Sequence, residues 1–287
     1  MAIRKNQLVP GECVSVDQYV CKTPGRQLHG FGKGKTRYNG GTIFVDHATS
    51  YISVHHQISL RAGETIQKKH QFERHAKANG VRIKGYRADN HPFESAEFLA
   101  DLELQNQSIT YSGVGAHHQN GVAERALQTV ISWALAMMMH QLVHWPAQFD
   151  AALWPFALEH AVHIWNNLPK ERGGLTPNEL FAGIKEPMND AILRSRTWGC
   201  PVYVLDPKLQ DGKKLPKWRP RSRLGMYLGV SPGHSTTVGR VLNIDTGYVS
   251  PQYHVVFDEL YHTVYGGLSD VPFDADLWNT LLTLEGF

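Results

Sequence analysis

The sequence predicts an α/β protein in which a mixed β-sheet flanked by helices is followed by a small, mostly β domain. Two observations carry this prediction. Up to about residue 144, segments of two-residue apolar period alternate with segments of helical period, in the order β-β-β-α-β-α-β-α. After Trp198, short β-like runs follow one another between turns rich in Gly, Pro and Asp. The first part is therefore expected to form the larger core and the second a separate sheet.

The first predicted strand covers residues 13–20, where Val14 and Val16 alternate with Ser15 and Asp17. Asp17 is thus expected on the face opposite the valines, near the end of the strand. Residues 22–41 are rich in glycine and basic residues, and we interpret them as a flexible hairpin excursion. The other predicted strands are 42–46, 51–57, 81–88, 108–111, 201–205, 224–230, 239–243 and 248–257. The predicted helices are 63–79, 93–105, a long helix from about 120, 146–167, and a short one within 178–194.

Composition sets limits on the class of protein. The 287 residues are 42% hydrophobic and 19% charged, which is typical of a globular protein with a sizeable core. A net charge of +3 permits nucleic acid as a partner but requires any phosphate-binding surface to be local. The three cysteines form no CxxC pair, which argues against a zinc knuckle or a disulfide framework. The longest apolar run, residues 133–139, is too short to span a membrane, so no membrane partner is expected.

Three carboxylates stand where an α/β sheet places ligands. Asp17 and Asp89 are expected at strand ends, and Glu124 at the start of the long helix. Such a trio suits two Mg²⁺ ions, which prefer oxygen ligands. The spacing alone is weak support, because 26 acidic residues offer many similar sets. Asp46 also ends a predicted strand and is a rival, although we prefer to interpret it as a residue that initiates a turn.

Polar residues near the trio have two interpretations each. Asn90 and Asn120 would bind substrate phosphate or cap turns, and capping is the commoner role for Asn120. His118 lacks a second ligand pair for zinc, so it is interpreted as a loop residue that touches DNA. Arg125 and Gln128 follow Glu124 on the helix and are expected at the rim of the site.

Residues 208–223 form the densest basic segment of the chain and also contain Trp218. A solvated surface and a contact with the phosphate backbone are about equally favoured for such a segment. The candidate DNA-binding residues are Lys213, Lys214, Lys217, Arg219, Arg221 and Arg223.

Motifs along most of the chain resemble the integrase of copia-type long-terminal-repeat retrotransposons, within the D,D,E retroviral-integrase superfamily. They include VSVDQY, GGTIFVDHATSY, YRADN, HHQNGVAERALQT, LWPFALEHAVHIWNNLP, TPNELF, WGCPVYVLDP, RSRLGMYLG and SPQYHVVFDE. They cover roughly residues 10–265 in the order of the family, which makes chance agreement improbable.

The resemblance implies an RNase H-like core with a five-stranded mixed sheet, in which Asp17, Asp89 and Glu124 coordinate two Mg²⁺ or Mn²⁺ ions. It implies an integrase that joins 3′-hydroxyl ends of element DNA to target DNA by two-metal phosphoryl transfer. The implied partners are element-end DNA, target DNA and further copies of the chain, without a small-molecule cofactor. The implied location is the nucleus at the point of action and a cytoplasmic particle before it.

The expected organisation is a leader at 1–12 without a zinc domain, a catalytic core with a helical extension at 13–178, a connection at 179–197, a β-rich domain at 198–264 and a tail at 265–287. The lack of a zinc motif before Asp17 leaves an alternative open, a truncated or catalytically degenerate relative that binds DNA. Two departures from the family pattern also favour it, namely His91 after Asp-Asn and Leu135, where an arginine is expected near the DNA. A nuclease that only hydrolyses is a third possibility, less favoured by the order of the motifs.

Overall fold

The structure is a computed structural model, and it describes residues 8–28, 36–89, 93–111, 121–170, 174–184 and 190–264. The strands of the first half are β1 (Val14–Gly25), β2 (Tyr38–Asp46), β3 (Ile52–Gln57), β4 (Gly85–Ala88) and β5 (Ser108–Tyr111). The helices are α1 (Ala62–Ala78), α2 (Ala96–Leu104), α3 (Gly121–His144), α4 (Trp154–Asn167), α5 (Pro177–Ala182), α6 (Asp190–Leu193) and α7 (Pro207–Gln210). The later strands are β6 (Pro201–Leu205), β7 (Ser222–Val230), β8 (Gly239–Asn243), β9 (Val249–Gln252) and β10 (Val255–Phe257).

The first sheet has the strand order β3-β2-β1-β4-β5. β2 is antiparallel to both β1 and β3, whereas β4 runs parallel to β1 and β5 runs parallel to β4. This is a five-stranded mixed sheet flanked by helices, the RNase H-like arrangement, so the predicted fold class is confirmed. The second sheet is antiparallel with the order β10-β6-β7-β8-β9, and it provides the mostly β region at the end of the chain.

The two faces of the first sheet bury different side chains, because successive residues of a strand point to opposite sides. On one side Val14, Val16 and Phe44 join a cluster with α1 and α2, in which Phe44 stacks on Phe72 at 4.7 Å between ring centroids. On the other side Tyr19 joins a cluster with α3 and α4.

The cluster on the α3 and α4 side continues into the second sheet, where it includes Val202, Met226 and Val241. One apolar core therefore spans both sheets. The domain boundary near residue 198 stays a prediction. Apolar side chains from both sides of this boundary pack in the same cluster.

The long helix α3 packs on the first sheet, and its Val130 and Met138 are almost fully buried. By length and composition alone this helix is apolar enough to cross a membrane, a test that the core helix of a soluble protein also passes. Leu135 is only 9% exposed and belongs to the same core. The expectation that this position faces DNA is therefore wrong, because a charge there would be buried.

The glycine-rich excursion is the main error of the predicted elements. β1 continues to Gly25 and β2 begins at Tyr38, so both ends of residues 22–41 are strand. Gly40 and Gly41 lie inside β2 because Tyr19 packs closely against them: a Cβ on Gly41 would stand 2.5 Å from the Tyr19 hydroxyl oxygen. These two glycines therefore mark a place where Tyr19 approaches the β2 backbone closely, and not a loop.

Three smaller differences concern boundaries. β4 is limited to Gly85–Ala88, because Lys84 donates its backbone N–H to the Gly11 carbonyl and not to a strand. The predicted helix at 146–167 is broken into two short 3-10 turns and α4, which begins at Trp154 with Pro155 in its first turn. The predicted strand at 248–257 is divided into β9 and β10.

Candidate active site

The register of two parallel strands sets Asp17 beside Asp89. In the ladder between β1 and β4, Val16 pairs with Ala88. Asp17 is the next residue of β1, and Asp89 is the first residue after β4, so the two residues stand level with each other. Neighbouring strands are about 4.8 Å apart, which brings both side chains within reach of a common ligand.

Both aspartates lie on the face of the sheet that α3 covers. Val16 and Ala88 belong to the cluster with α1 and α2, so continuing the alternation by one residue directs Asp17 and Asp89 to the other face, and the charge of Asp89 acts on Asp17. Tyr19, two residues after Asp17, is buried in the cluster with α3. The sequence predicts Asp17 near the end of its strand, but β1 continues to Gly25. Asp17 is the fourth residue of β1 and directly follows the part that pairs with β4.

Glu124 lies in the first turn of α3, between the buried residues Ala123 and Leu127, and is itself exposed. The negative charge of Glu124 acts on the Asp17 carboxylate. The pKa of Asp17 is raised to about 6: burial is the largest cause, a 2.8 Å hydrogen bond from the Gln18 backbone N–H opposes it, and the charges of Asp89 and Glu124 add to the rise. The structure therefore brings the three predicted carboxylates into one electrostatic cluster.

The backbone beside Asp17 is fixed from the opposite face of the sheet. The Gln18 amide donates to the Thr65 hydroxyl at 2.8 Å and to the Leu60 carbonyl at 3.3 Å, which ties β1 to the start of α1. These partly buried hydrogen bonds help to hold the strand in one position. Asp17 is consequently carried by a rigid element, whereas Glu124 reaches the site with an exposed side chain.

The donor set fits a divalent cation. Carboxylate oxygens are the ligands that Mg²⁺ prefers, and a cation would relieve the repulsion that raises the pKa of Asp17. Within the described ranges, no three acidic, His or Cys side chains already surround one point at ligand distance. Rotation of the exposed Glu124 side chain is the adjustment that would complete the set.

Asp46, the rival carboxylate, has a structural role. Its Oδ2 accepts hydrogen bonds from the Thr49 hydroxyl and backbone N–H at 2.7 and 2.9 Å, and its Oδ1 accepts one from Gly11 N–H at 2.8 Å. Asp46 pairs with Val14, whereas Asp17 pairs with Ile43, so Asp46 lies three residues farther along the ladder. Its interpretation as a turn residue is confirmed.

The other predicted site residues fall into three groups. Arg125 and Gln128 are exposed near the start of α3, and Arg125 Nε donates to the Gly121 carbonyl at 2.8 Å. Asn90, His118 and Asn120 lie outside the described residues. The basic candidates lie on the connection between β6 and β7 or at the start of β7, on elements different from those that carry the carboxylates: Lys213, Lys214, Lys217, Arg219, Arg221 and Arg223.

Arg87 lies in β4, on the side of the sheet that carries the aspartates. It pairs with Ser15 in the parallel ladder, two residues before Asp89 and on the same face. Its Nε is buried with no hydrogen-bond partner in the described part of the chain. The alternation of β4 was the available signal, because it places residues 87 and 89 on one side. Arg87 therefore brings a positive charge to the face that holds the carboxylates.

Several solved integrase structures are similar to this chain. The HTLV-2 integrase catalytic core domain in complex with magnesium, in its dimeric form, gives a TM-score of 0.43 and 17% identity, covering 61% of this chain and 98% of that chain. The simian T-cell lymphotropic virus intasome, in complex with the PP2A regulatory subunit B56 gamma, gives 0.49 and 16%, covering 89% and 81%. The catalytic core domain of BIV integrase gives 0.42 and 14%, covering 60% and 95%.

No protein-family model and no curated protein matches the sequence. With identities and TM-scores this low, the likeness to solved structures assigns no activity to this chain.

Proposed function

We propose that this chain is a metal-dependent polynucleotidyl transferase, an integrase of the copia type that joins 3′-hydroxyl ends of element DNA to target DNA. One observation carries the proposal: Asp17 of β1 stands level with Asp89, directly after the adjacent parallel strand β4, on the face where Glu124 lies in the first turn of α3. Burial raises the pKa of Asp17, and the charges of Asp89 and Glu124 add to the rise. The assignment to the copia type rests on the series of motifs in the sequence.

In this proposal Asp17, Asp89 and Glu124 hold Mg²⁺ or Mn²⁺, two ions per site. Bound there, such ions neutralise phosphate charge and lower the pKa of an attacking hydroxyl. Glu124 approaches from the positive end of the α3 dipole, which also favours phosphate. Arg87 and Arg125 would stabilise the phosphate charge from the sheet side and the helix side.

The proposed partners are element-end DNA and target DNA, bound through phosphates by the basic connection between β6 and β7. We further propose that the chain acts as a homo-oligomer, because the two ends of the element must be held as a pair while both are joined to the target DNA. Its proposed place of action is the nucleus, after assembly in a cytoplasmic particle.

The test is a joining assay with the purified chain, labelled DNA duplexes and supercoiled plasmid in Mg²⁺ or Mn²⁺. We expect joined or nicked plasmid products that fall by at least about 10³-fold in Asp89→Asn and Glu124→Gln, which keep the shape of the side chains and remove the charge. Glu103→Gln, at an exposed carboxylate of α2, is the matched control and should retain activity. Undiminished activity in both site variants would refute the proposal.

A DNA-binding protein without catalysis is the second candidate. It is favoured by the exposure of Glu124 and by the lack of three gathered ligands among the described residues. In that case DNA binding would persist in Asp89→Asn, and Mg²⁺ would not stabilise the wild-type chain.

A further inference from the structure

Trp218 is the most exposed large apolar side chain in the described part of the molecule, at 90%. It lies on the connection between β6 and β7, in which residues 211–214 and 216–222 are all exposed. Tryptophan is normally well buried, because its ring is the largest apolar surface among the side chains. A ring left in water at this position is therefore available to stack on a partner.

The backbone holds Trp218 at the tip of a turn. The Arg219 N–H donates to the Pro216 carbonyl at 3.1 Å, and Pro216 and Pro220 flank the turn on either side. At the base of the connection, Leu205 pairs with Ser222 in the ladder between β6 and β7. Proline restricts the backbone, so little conformational entropy remains to be lost when the ring binds a partner.

The charge around Trp218 is strongly positive. Residues 206–223 contain seven Lys or Arg and two Asp, a net charge of +5. The whole chain carries only +3, so the remaining residues sum to −2. Lys217 Nζ stands 5.5 Å from the centroid of the Trp218 ring, which places a cation beside the aromatic face. This segment thus supplies the local positive surface that the overall composition required.

We propose that Trp218 stacks on an unpaired base of a nucleic acid, while the cations on either side of it hold the adjoining phosphates. Aromatic rings between cations are the combination that binds single-stranded nucleic acid, because every base has a free face once it is unpaired. Bases within a duplex are already stacked on their neighbours, and separating them has a cost. A protein partner is disfavoured, because lysines are depleted at the centres of protein interfaces.

The proposal rests on the proposed function only in taking DNA as the substrate. It adds a specificity: the segment should prefer DNA ends that carry unpaired nucleotides over blunt duplex. Such a preference concerns binding alone and can be measured with divalent ions chelated, when no joining occurs.

The test is fluorescence anisotropy of the full chain in EDTA with three labelled probes. They are a single strand, a blunt duplex of the same sequence, and that duplex with a short unpaired extension. Trp218→Ala should weaken binding to the two probes with unpaired bases about ten-fold, and Trp218→Phe should restore most of it. Binding to the blunt duplex should change less than about two-fold in either variant. Tyr248→Ala, at an aromatic residue that is 60% exposed outside the segment, is the control and should leave all three affinities unchanged.

A charge variant separates stacking from phosphate contact. The double variant Lys213→Gln/Lys214→Gln should weaken binding to all three probes. It should reduce the dependence of log K on log salt by about 0.7 per lost phosphate contact on the single strand and about 0.9 on the duplex. Trp218→Ala should leave that salt dependence unchanged. Equal losses on blunt and unpaired probes in Trp218→Ala, or no loss on any probe, would overturn the proposal. A joining assay that fails while the unpaired preference holds would overturn only the proposed function.

Discussion

Glu159 of α4 and Arg240 of β8 form an ion pair with 2.5 Å between Oε2 and Nη2, and it joins the helix layer of the first sheet to the second sheet. His56 of β3 stands 3.3 Å from the other carboxylate oxygen. Burial alone would raise the pKa of Glu159, but the hydrogen bonds and charges of His56 and Arg240 outweigh it and hold the pKa at about 2. The Glu159 carboxylate is therefore charged at neutral pH, where it can pair with Arg240.

Glu159→Gln should destabilise the fold at neutral pH by about 1–2 kcal/mol, allowing for a side chain that is 31% exposed. The folded pKa is depressed, so this stability is present above the ordinary value of 4.5 and is lost as the pH falls toward about 2. Urea unfolding across this range should show the difference from wild type shrinking with acid. A difference that stays constant from neutral pH to about pH 2 would contradict the assignment. Glu103→Gln serves as the exposed control.

Asp17→Asn should stabilise the metal-free chain above pH 6. The folded pKa of Asp17 is raised from 3.8 to about 6, so the stability linked to its proton is complete below 3.8 and lost as the pH rises through 6. Removing the charge should recover about 1–3 kcal/mol at slightly alkaline pH and little near pH 4, as measured by urea unfolding in EDTA. Asp46→Asn, at a carboxylate that accepts three hydrogen bonds, should instead destabilise the chain. Destabilisation by both variants would argue against a strained cluster at Asp17.

Mg²⁺ should stabilise the wild-type chain in thermal unfolding. A cation that binds only the folded state contributes about 1.4 kcal/mol when its concentration is ten times its Kd. Asp17→Asn and Asp89→Asn should abolish this stabilisation, whereas NaCl at equal ionic strength should not reproduce it. Equal stabilisation of wild type and both variants would place the Mg²⁺ site elsewhere.

Two glycines should respond to alanine in opposite directions. Gly41→Ala should destabilise the fold by about 1–3 kcal/mol, because the new Cβ would meet the Tyr19 hydroxyl and the His55 carbonyl oxygens, each at 2.5 Å. Gly63→Ala, in the first turn of α1 with no atom within 4 Å of the new Cβ, should stabilise the fold by roughly 0.5–1 kcal/mol. Urea unfolding of both variants checks the signs, and a stabilising Gly41→Ala would contradict the packing described for β2.

Local patterns in the sequence determined the order of strands and helices and the residue types of the candidate site. The alternation of Val14 and Val16 placed Asp17 on the opposite face, and the stretch after Asn120 predicted a helix that bears Glu124. These features depend on neighbours along the chain, so periodicity is sufficient to find them. The same reasoning was wrong for residues 22–41, because the cause of the glycines in β2 is Tyr19, a residue about twenty positions away.

Only the tertiary structure decided the register that sets Asp17 level with Asp89, the burial of Leu135, and the ion pair between Glu159 and Arg240. Each depends on a contact between segments far apart in the chain, for which no local pattern carries a signal. The sequence alone established which carboxylates were candidates for a metal site. Their approach to one another is a property of the sheet, because pairing between β1 and β4 fixes positions that the chain between them leaves free.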